Sequence, residues 1–450
     1  MTNPNTLPAG PGGVHGRVRR TPITAALLAA GIALLVVGVA GVAFQRRPSA
    51  GSPAAAASVP TTAATPLARL EKKVADDPGD ASAWAALGAA HVDHARVNSD
   101  PSSYPKAERA LDRSLALDGD GNWEALASQG ALAAGRHDFA KALRFSEQAR
   151  ELQPQSSFIL GIIVDSLTEL GRYPEAVDAA QAMVDLRPDL ASYARVSYQR
   201  ELHGDIPGAI DAMQAALRAS SAPGDRAFAA YHLGELEWQG GDVPRAEARY
   251  QEALRADPTA MQAVAGLGRV AASRGDLAAA ISRYEEAVAG FPDPEALKEL
   301  GELHLLDADR EAAELRFRQA ARENAKQAAG GVAVDLEIAL FSADHRRNLD
   351  AGLAAASREW GRRQSIHVAD ALAWQLFVHG EHENALVYAD KALALGSRNG
   401  AFHFHRAEIH RALGNRDAAV ADYRQALAIS PNFSLLHRGP AQRALADLAG

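Results

Sequence analysis

The chain has 450 residues, is 47% hydrophobic but only 6% aromatic, contains no cysteine and carries a net charge of −8. The missing thiol excludes disulfides, thiolate metal sites, covalent haem attachment and a cysteine nucleophile. The acidic balance excludes the basic footprint that DNA or RNA binding needs.

In chain order, residues 1–20 form a short basic tail. The first 66 residues hold Arg17, Arg19, Arg20, Arg46 and Arg47 and no Asp, Glu or Lys, so the acidic excess falls wholly on residues 67–450. The run "ITAALLAAGIALLVVGVAGVAF", Ile23 to Phe44, carries no charge over 22 residues. That length crosses the hydrocarbon core as a helix, which predicts one transmembrane helix over 21–44. The competing reading is a signal peptide cut after the small residues Gly41, Val42 and Ala43. A signal core, however, is only about 7–15 residues long. Three arginines before the span and two after it give a small bias towards an N-terminus inside, placing the rest of the chain outside the cytoplasmic membrane. Residues 45–66, rich in Ala, Ser, Pro and Thr, read as a linker that cannot bury a core.

From 67 to 450 the chain repeats itself. "GDVPRAEARYQEALRADP" at Gly241–Pro258 returns 34 residues later as "GDLAAAISRYEEAVAGFP" at Gly275–Pro292, and again as "GNRDAAVADYRQALAISP" at Gly414–Pro431. Numbered within a unit, position 20 is alanine (Ala142, Ala176, Ala209, Ala246, Ala280, Ala313, Ala385, Ala419) and position 27 is usually alanine. A ring often fills position 24 (Tyr250, Tyr284, Phe317, Tyr423). Small, large, small on one helix face lets a second helix approach closely. Gly171, Gly204, Gly241, Gly275, Gly380 and Gly414 stand at position 15, where a first helix must end in a left-handed residue. Pro154, Pro188, Pro258, Pro292 and Pro431 stop the second helix at position 32.

This pattern, with "WAALG" at Trp84–Gly88 as its clearest opening, resembles the tetratricopeptide repeat. The resemblance implies an all-α, right-handed α-solenoid of about ten helix pairs, following the one transmembrane helix. The units fall near 81–121, 123–156, 157–189, 190–226, 227–260, 261–293, 294–332, 333–365, 366–399 and 400–433. The first carries an insertion around "NSDPSS", and the eighth has Gly352 in place of the position-20 alanine. "PLARLEKKVADDP" covers the first unit and "SLLHRGPAQRALADL" supplies a closing helix. In such arrays each unit contacts mainly its neighbours, so unfolding is expected to be graded. The stretch Arg69–Gly88 also resembles the repeat segment of assembly factors for c-type cytochromes.

Motifs for chemistry are lacking: there is no P-loop, GxGxxG, GxSxG or HExxH. "DGDGN" at Asp118–Asn122 opens like a calcium loop, but Trp123 stands where glycine is required and Gln129 where the bidentate glutamate belongs. "SYPK" at Ser103–Lys106 matches SxxK without a companion motif. His403 and His405 point to opposite sides of a helix and cannot share an ion. His379 and His382 straddle a turn. No cofactor and no metal ligand are assigned.

The resemblance implies that positions 2, 5, 9 and 12 of each first helix line a concave groove. They include Phe158, Asp165, Tyr198, Phe228, Tyr231, Glu235, Trp238, Glu302, Phe341, Asp344, His367, Asp370, Trp374, Phe377, Phe404 and Glu408. Rings interleaved with carboxylates suit a protein or extended peptide bearing apolar and basic groups. The reading is a membrane-anchored protein-interaction scaffold without catalysis, one use being the assembly of an envelope complex. The alternative is a metal-dependent protein or enzyme using Asp344, His345, His367 and Asp370. A further alternative is that the rings pack between adjacent first helices and leave no groove.

Overall fold

The structure, a computed structural model, describes residues 66–449. The expected N-terminal tail, transmembrane helix and nearly all of the linker lie outside the described residues. No described helix is long and apolar enough to cross a membrane. Among the described residues there are 22 α-helices, one 3-10 helix at Pro101–Ser103 and no strand.

The helices come in ten antiparallel pairs. They begin with Ala81–Asn98 and Tyr104–Leu117, then Trp123–Gly135 and Phe139–Leu152, Ser157–Glu169 and Tyr173–Leu186, Leu190–Leu202 and Ile206–Ala219, and Pro223–Gln239 and Val243–Ala256. They continue with Met261–Ser273 and Leu277–Gly290, Pro294–Leu306 and Arg310–Ala329, Asp335–His345 and Leu349–Arg362, Ile366–Val378 and His382–Ala392, and Gly400–Ala412 and Arg416–Ile429. All six position-15 glycines have positive φ, between 76° and 83°. Where aspartate comes next, as in "GD", its carboxylate caps the second helix: Asp205 accepts from Gly208, Asp242 from Arg245 and Asp276 from Ala279. Glycine makes the turn and aspartate satisfies the new helix's free N–H groups.

Within a pair, a small residue faces a large one. The position-20 alanines are wholly buried, as are Tyr250, Tyr284 and Tyr423. A Cβ added to Gly234 would lie 2.5 Å from Tyr250, and one on Gly268 would lie 2.6 Å from Tyr284. The ring of position 24 thus occupies the space that position 8 leaves empty. Gly352 obeys the same logic, because Ser342 and Gln375 fill the place of its missing methyl. At the ends, Pro66–Asp76 packs Leu67, Leu70 and Val74 on Trp84 and Leu87, and Arg438–Ala449 packs Ala441 and Leu445 on the last pair.

The array also touches itself one superhelical turn away, five units further along. Arg136 Nε donates to Gly330 O and Ala333 N to Arg136 O. Arg363 Nη1 donates to Glu169 Oε2 at 2.7 Å, Ile366 N to the Tyr173 hydroxyl at 2.8 Å, and Ser430 Oγ to Trp238 O. The turns at Gly171, Gly204 and Gly241 sit on the backbone at Gln364, Gly396 and Ile429. Contacts mainly between neighbouring units, the sequence expectation, are therefore supplemented by rungs that tie the solenoid's coils together.

These rungs separate two otherwise equivalent glycines. Gly171→Ala and Gly275→Ala both place alanine at positive φ, at a cost of about 1 kcal/mol. Only the Gly171 methyl would meet the next coil, 2.6 Å from Gln364 O, whereas nothing lies within 4 Å at Gly275. Gly171→Ala is expected to cost roughly 1–3 kcal/mol more by denaturant unfolding. Equal costs would mean the coils do not touch in solution.

Candidate functional site

Closure of the coil encloses a lumen, and in it lies a cavity of about 330 Å³. Its wall is built from the first helices of successive units. Phe228, Tyr231, His232, Glu235 and Trp238 recur every three or four residues along Pro223–Gln239 and therefore share one face. Gln262, Ala265 and Arg269 do the same on the next first helix, and Glu295, Lys298, Glu299 and Glu302 on the one after.

Of the groove residues expected from the sequence, Tyr198, Phe228, Tyr231, Glu235, Trp238, Glu302, Asp344, His367 and Asp370 line this cavity. The others do not. Phe158 is exposed, and Asp165 is buried in a two-point ion pair with Arg195 at 2.6 and 2.9 Å. Phe341 packs with Phe317 and His345, and Trp374 is stacked on Phe377 and His405. Phe404 lies against Phe433 and His437, and Glu408 accepts from the Tyr423 hydroxyl and Arg411. The alternative foursome is also split: Asp344 and Asp370 border the cavity, but His345 turns towards Glu302 at 3.3 Å and His367 towards the Tyr198 hydroxyl.

Several lumen residues escape a search for rings with carboxylates although the register marks them. Arg269 is at position 9 and Lys298 at position 5 of their units. Such a search discards the cations that partly neutralise the wall. The tail carries no register at all. The sequence predicts a helix through "SLLHRGPAQRALADL", yet the helix starts at Arg438 and the preceding residues turn into the lumen. There Leu435 joins the core around Tyr284 and Leu300. His437 Nε2 lies 3.1 Å from Asp344 Oδ1.

The wall is acidic and only partly compensated. Glu235 is paired with Arg269 and accepts the Tyr250 hydroxyl at 2.8 Å, while Arg269 also covers the Trp238 ring at 5.5 Å. Glu201 accepts from the amide of Gln239, at 2.9 Å. Burial pushes the carboxyls of Glu201, Asp293 and Glu299 up to about 7. Burial likewise holds the imidazoles of His232 and His367 down at about 4. Lys298 is raised, because Glu295, Glu302 and Asp344 outweigh the effect of burial. At the far end, Asp344 accepts from Trp374 Nε1 at 2.9 Å and His405 Nδ1 lies 2.9 Å from Asp370.

The tetratricopeptide repeat family model matches residues 163–226, 202–261 and 231–293, and a second tetratricopeptide repeat model matches 400–433. These segments of the chain are tetratricopeptide repeats. No curated protein matches it. Among solved structures, this tetratricopeptide array is similar to the APC/C hetero-tetramer Cut9-Hcn1 at 17% identity and a TM-score of 0.43. That match covers 82% of this chain and spans 64% of that one. A tetratricopeptide repeat protein from Parabacteroides merdae is similar at 18% identity and a TM-score of 0.34, covering 58% of this chain and 99% of that one. MamA is similar at 19% identity and a TM-score of 0.30, covering 38% and 91%.

The raised carboxyls give the array a distinctive pH response. A carboxyl raised from 4.5 to about 7 keeps its proton longer when folded, so its contribution to stability is lost as pH climbs through about 7. The depressed histidines act oppositely, adding stability up to their ordinary value of 6.5. Above that value the depressed histidines no longer offset the carboxyls. The melting temperature of the full chain is expected to fall between about pH 6.5 and 8, and the double variant Glu201→Gln, Glu299→Gln should flatten that fall.

Proposed function

We propose that this tetratricopeptide protein is a scaffold that binds another protein by drawing a basic side chain, flanked by apolar ones, into the lumen. One observation carries this: Glu201, Glu235, Asp293, Glu295, Glu299, Glu302, Asp344 and Asp370 face the cavity, against Arg269, Lys298 and Arg398. A carboxylate removed from water without a counter-charge is costly, and an incoming Lys or Arg removes that cost. Phe228, Tyr231 and Trp238 beside these acids give the apolar stem and neighbours of such a side chain a surface to cover. At about 330 Å³ the cavity suits a few side chains and not a long extended peptide. The protein's work in this reading is holding a partner, not catalysis, with assembly of an envelope complex as its use.

The test uses the full chain and short peptides centred on Lys or Arg between Leu or Phe, with Glu-centred peptides as controls. Basic peptides should bind, more tightly at pH 8 than at pH 6 and more weakly in high salt. Glu201→Gln with Glu299→Gln should weaken them roughly 5-fold or more while leaving the fold intact. Equal binding of acidic peptides, or indifference to the double variant, would sink the reading.

In the same reading the array lies outside the cytoplasmic membrane, anchored through residues 21–44. The uncharged 22-residue run and the arginine bias around it support this. Protease added to intact spheroplasts should cut at 45–66 and release the array. Full protection would reverse the topology, and a soluble chain beginning near Phe44 in untreated cells would show cleavage in place of anchoring.

A further inference from the structure

We propose that Asp344, His405 and His437 form a binding site for one divalent transition-metal ion of the zinc class, with Asp370 as the positioning residue behind His405. The three side chains come from different parts of the array: Asp344 from the eighth unit, His405 from the tenth and His437 from the tail. One ligand atom from each lies within 4.8 Å of the other two. Two imidazoles and one carboxylate are a ligand set that zinc takes with a fourth position left to water or another donor.

The geometry is close to what an ion requires. Ligands about 2.0–2.1 Å from a tetrahedral ion stand about 3.3 Å apart, and His437 Nε2 and Asp344 Oδ1 are already 3.1 Å apart. The remaining ligand needs to close by at most about 1.5 Å on that spacing. A side-chain movement of that size leaves the helices in place.

Stronger than the spacing is the arrangement behind the ligands. His405 Nδ1 is engaged by both oxygens of Asp370, at 2.9 and 3.0 Å, and both side chains are buried. That leaves Nε2 as the ligating atom and sets the tautomer, as in the carboxylate–histidine pairs behind metal-bound imidazoles. Asp344 is oriented in turn by Trp374 Nε1 at 2.9 Å, a donor that the carboxylate keeps while its other lone pairs face the ion. The Trp374 ring, stacked at 4.2 Å on His405, holds the imidazole plane. All three ligands border the acidic cavity, which attracts cations and gives the ion an entry path.

Without an ion, Asp344 contacts His437 and has Lys298 nearby. Binding replaces the direct Asp344–His437 hydrogen bond by two bonds to the metal. The ion thereby ties the tail to the eighth and tenth units, independently of whether the lumen takes a basic side chain.

The test is titration of the full chain, purified without a histidine tag and stripped with a chelator, with Zn²⁺ and Co²⁺. One ion per chain should bind, and Co²⁺ should give the visible bands of a low-coordinate site. His437→Gln lies outside the repeats and should weaken Zn²⁺ by about 100-fold or more, with the helicity of the metal-free chain retained. Asp370→Asn should weaken it by about 10–100-fold and shift the Co²⁺ bands, which a purely structural role would not do. No saturable uptake, or uptake with unchanged affinity in His437→Gln, would overturn the site.

Discussion

Everything beyond the individual helix pair depends on the contact between successive coils, and Arg363 is its centre. The side chain is 1% exposed, bonds Glu359 of its own unit and Glu169 of the coil before, and lies 5.3 Å over the Phe139 ring. Burying these charges costs several kcal/mol per ion, so the cluster is poor evidence for net stability. What it does supply is register. A slip of one coil against the other would leave Glu169 or Arg363 buried and unpaired, the arrangement that costs most. Open solenoids distribute their stability over neighbour contacts alone. Here the rungs five units apart make unfolding of one coil felt by the next, so the array behaves less like a one-dimensional chain of units.

Coil closure also creates the electrostatic tension of the lumen. In an open groove, Glu201, Asp293 and Glu299 would face water and titrate normally; shut inside, they rise to about 7. Arg269 and Lys298 relieve part of this, and the hydroxyls of Tyr250 and Tyr284 donate to Glu235 and Glu299. The hydroxyls come from the same position-24 rings that fill the gaps at Gly234 and Gly268. One residue type thus settles both helix spacing and the hydrogen bonding of the inner wall.

The unit is legible in the sequence because its constraints are local. A left-handed turn at Gly204 or Gly241, a cap at Asp205 or Asp242, and a buried methyl at Ala246 each leave a letter at a fixed place. Even the departure at Gly352 is a local exchange of volume with Ser342 and Gln375. The curvature of the array is not local. It accumulates from a small rotation at every interface, so no single residue announces that Gly171 will sit on Gln364. For the same reason register alone lists the inner face but does not reveal whether that face forms one cavity. Tyr198 and Trp238 end in that cavity, and Trp374 and Phe404 are taken up by packing with the tail. His437 is invisible to the register because the segment after the last repeat proline lacks the 34-residue period.

That tail decides what chemistry remains on offer. Phe433 packs on Phe404 at 5.6 Å, and Leu435 enters the core with Met261 and Leu300, so the most apolar parts of the inner face are covered by the chain itself. The area left uncovered is the band where carboxylates outnumber cations. An apolar occupant could cover the rings of Phe228, Tyr231 and Trp238 but would have to desolvate charges it cannot pair. A cation gains twice, from its own pairing and from the ionisation it permits in acids held near neutrality. In the proposed reading, self-occupation by the tail acts as a filter, turning a lumen rich in rings into a site that selects for positive charge.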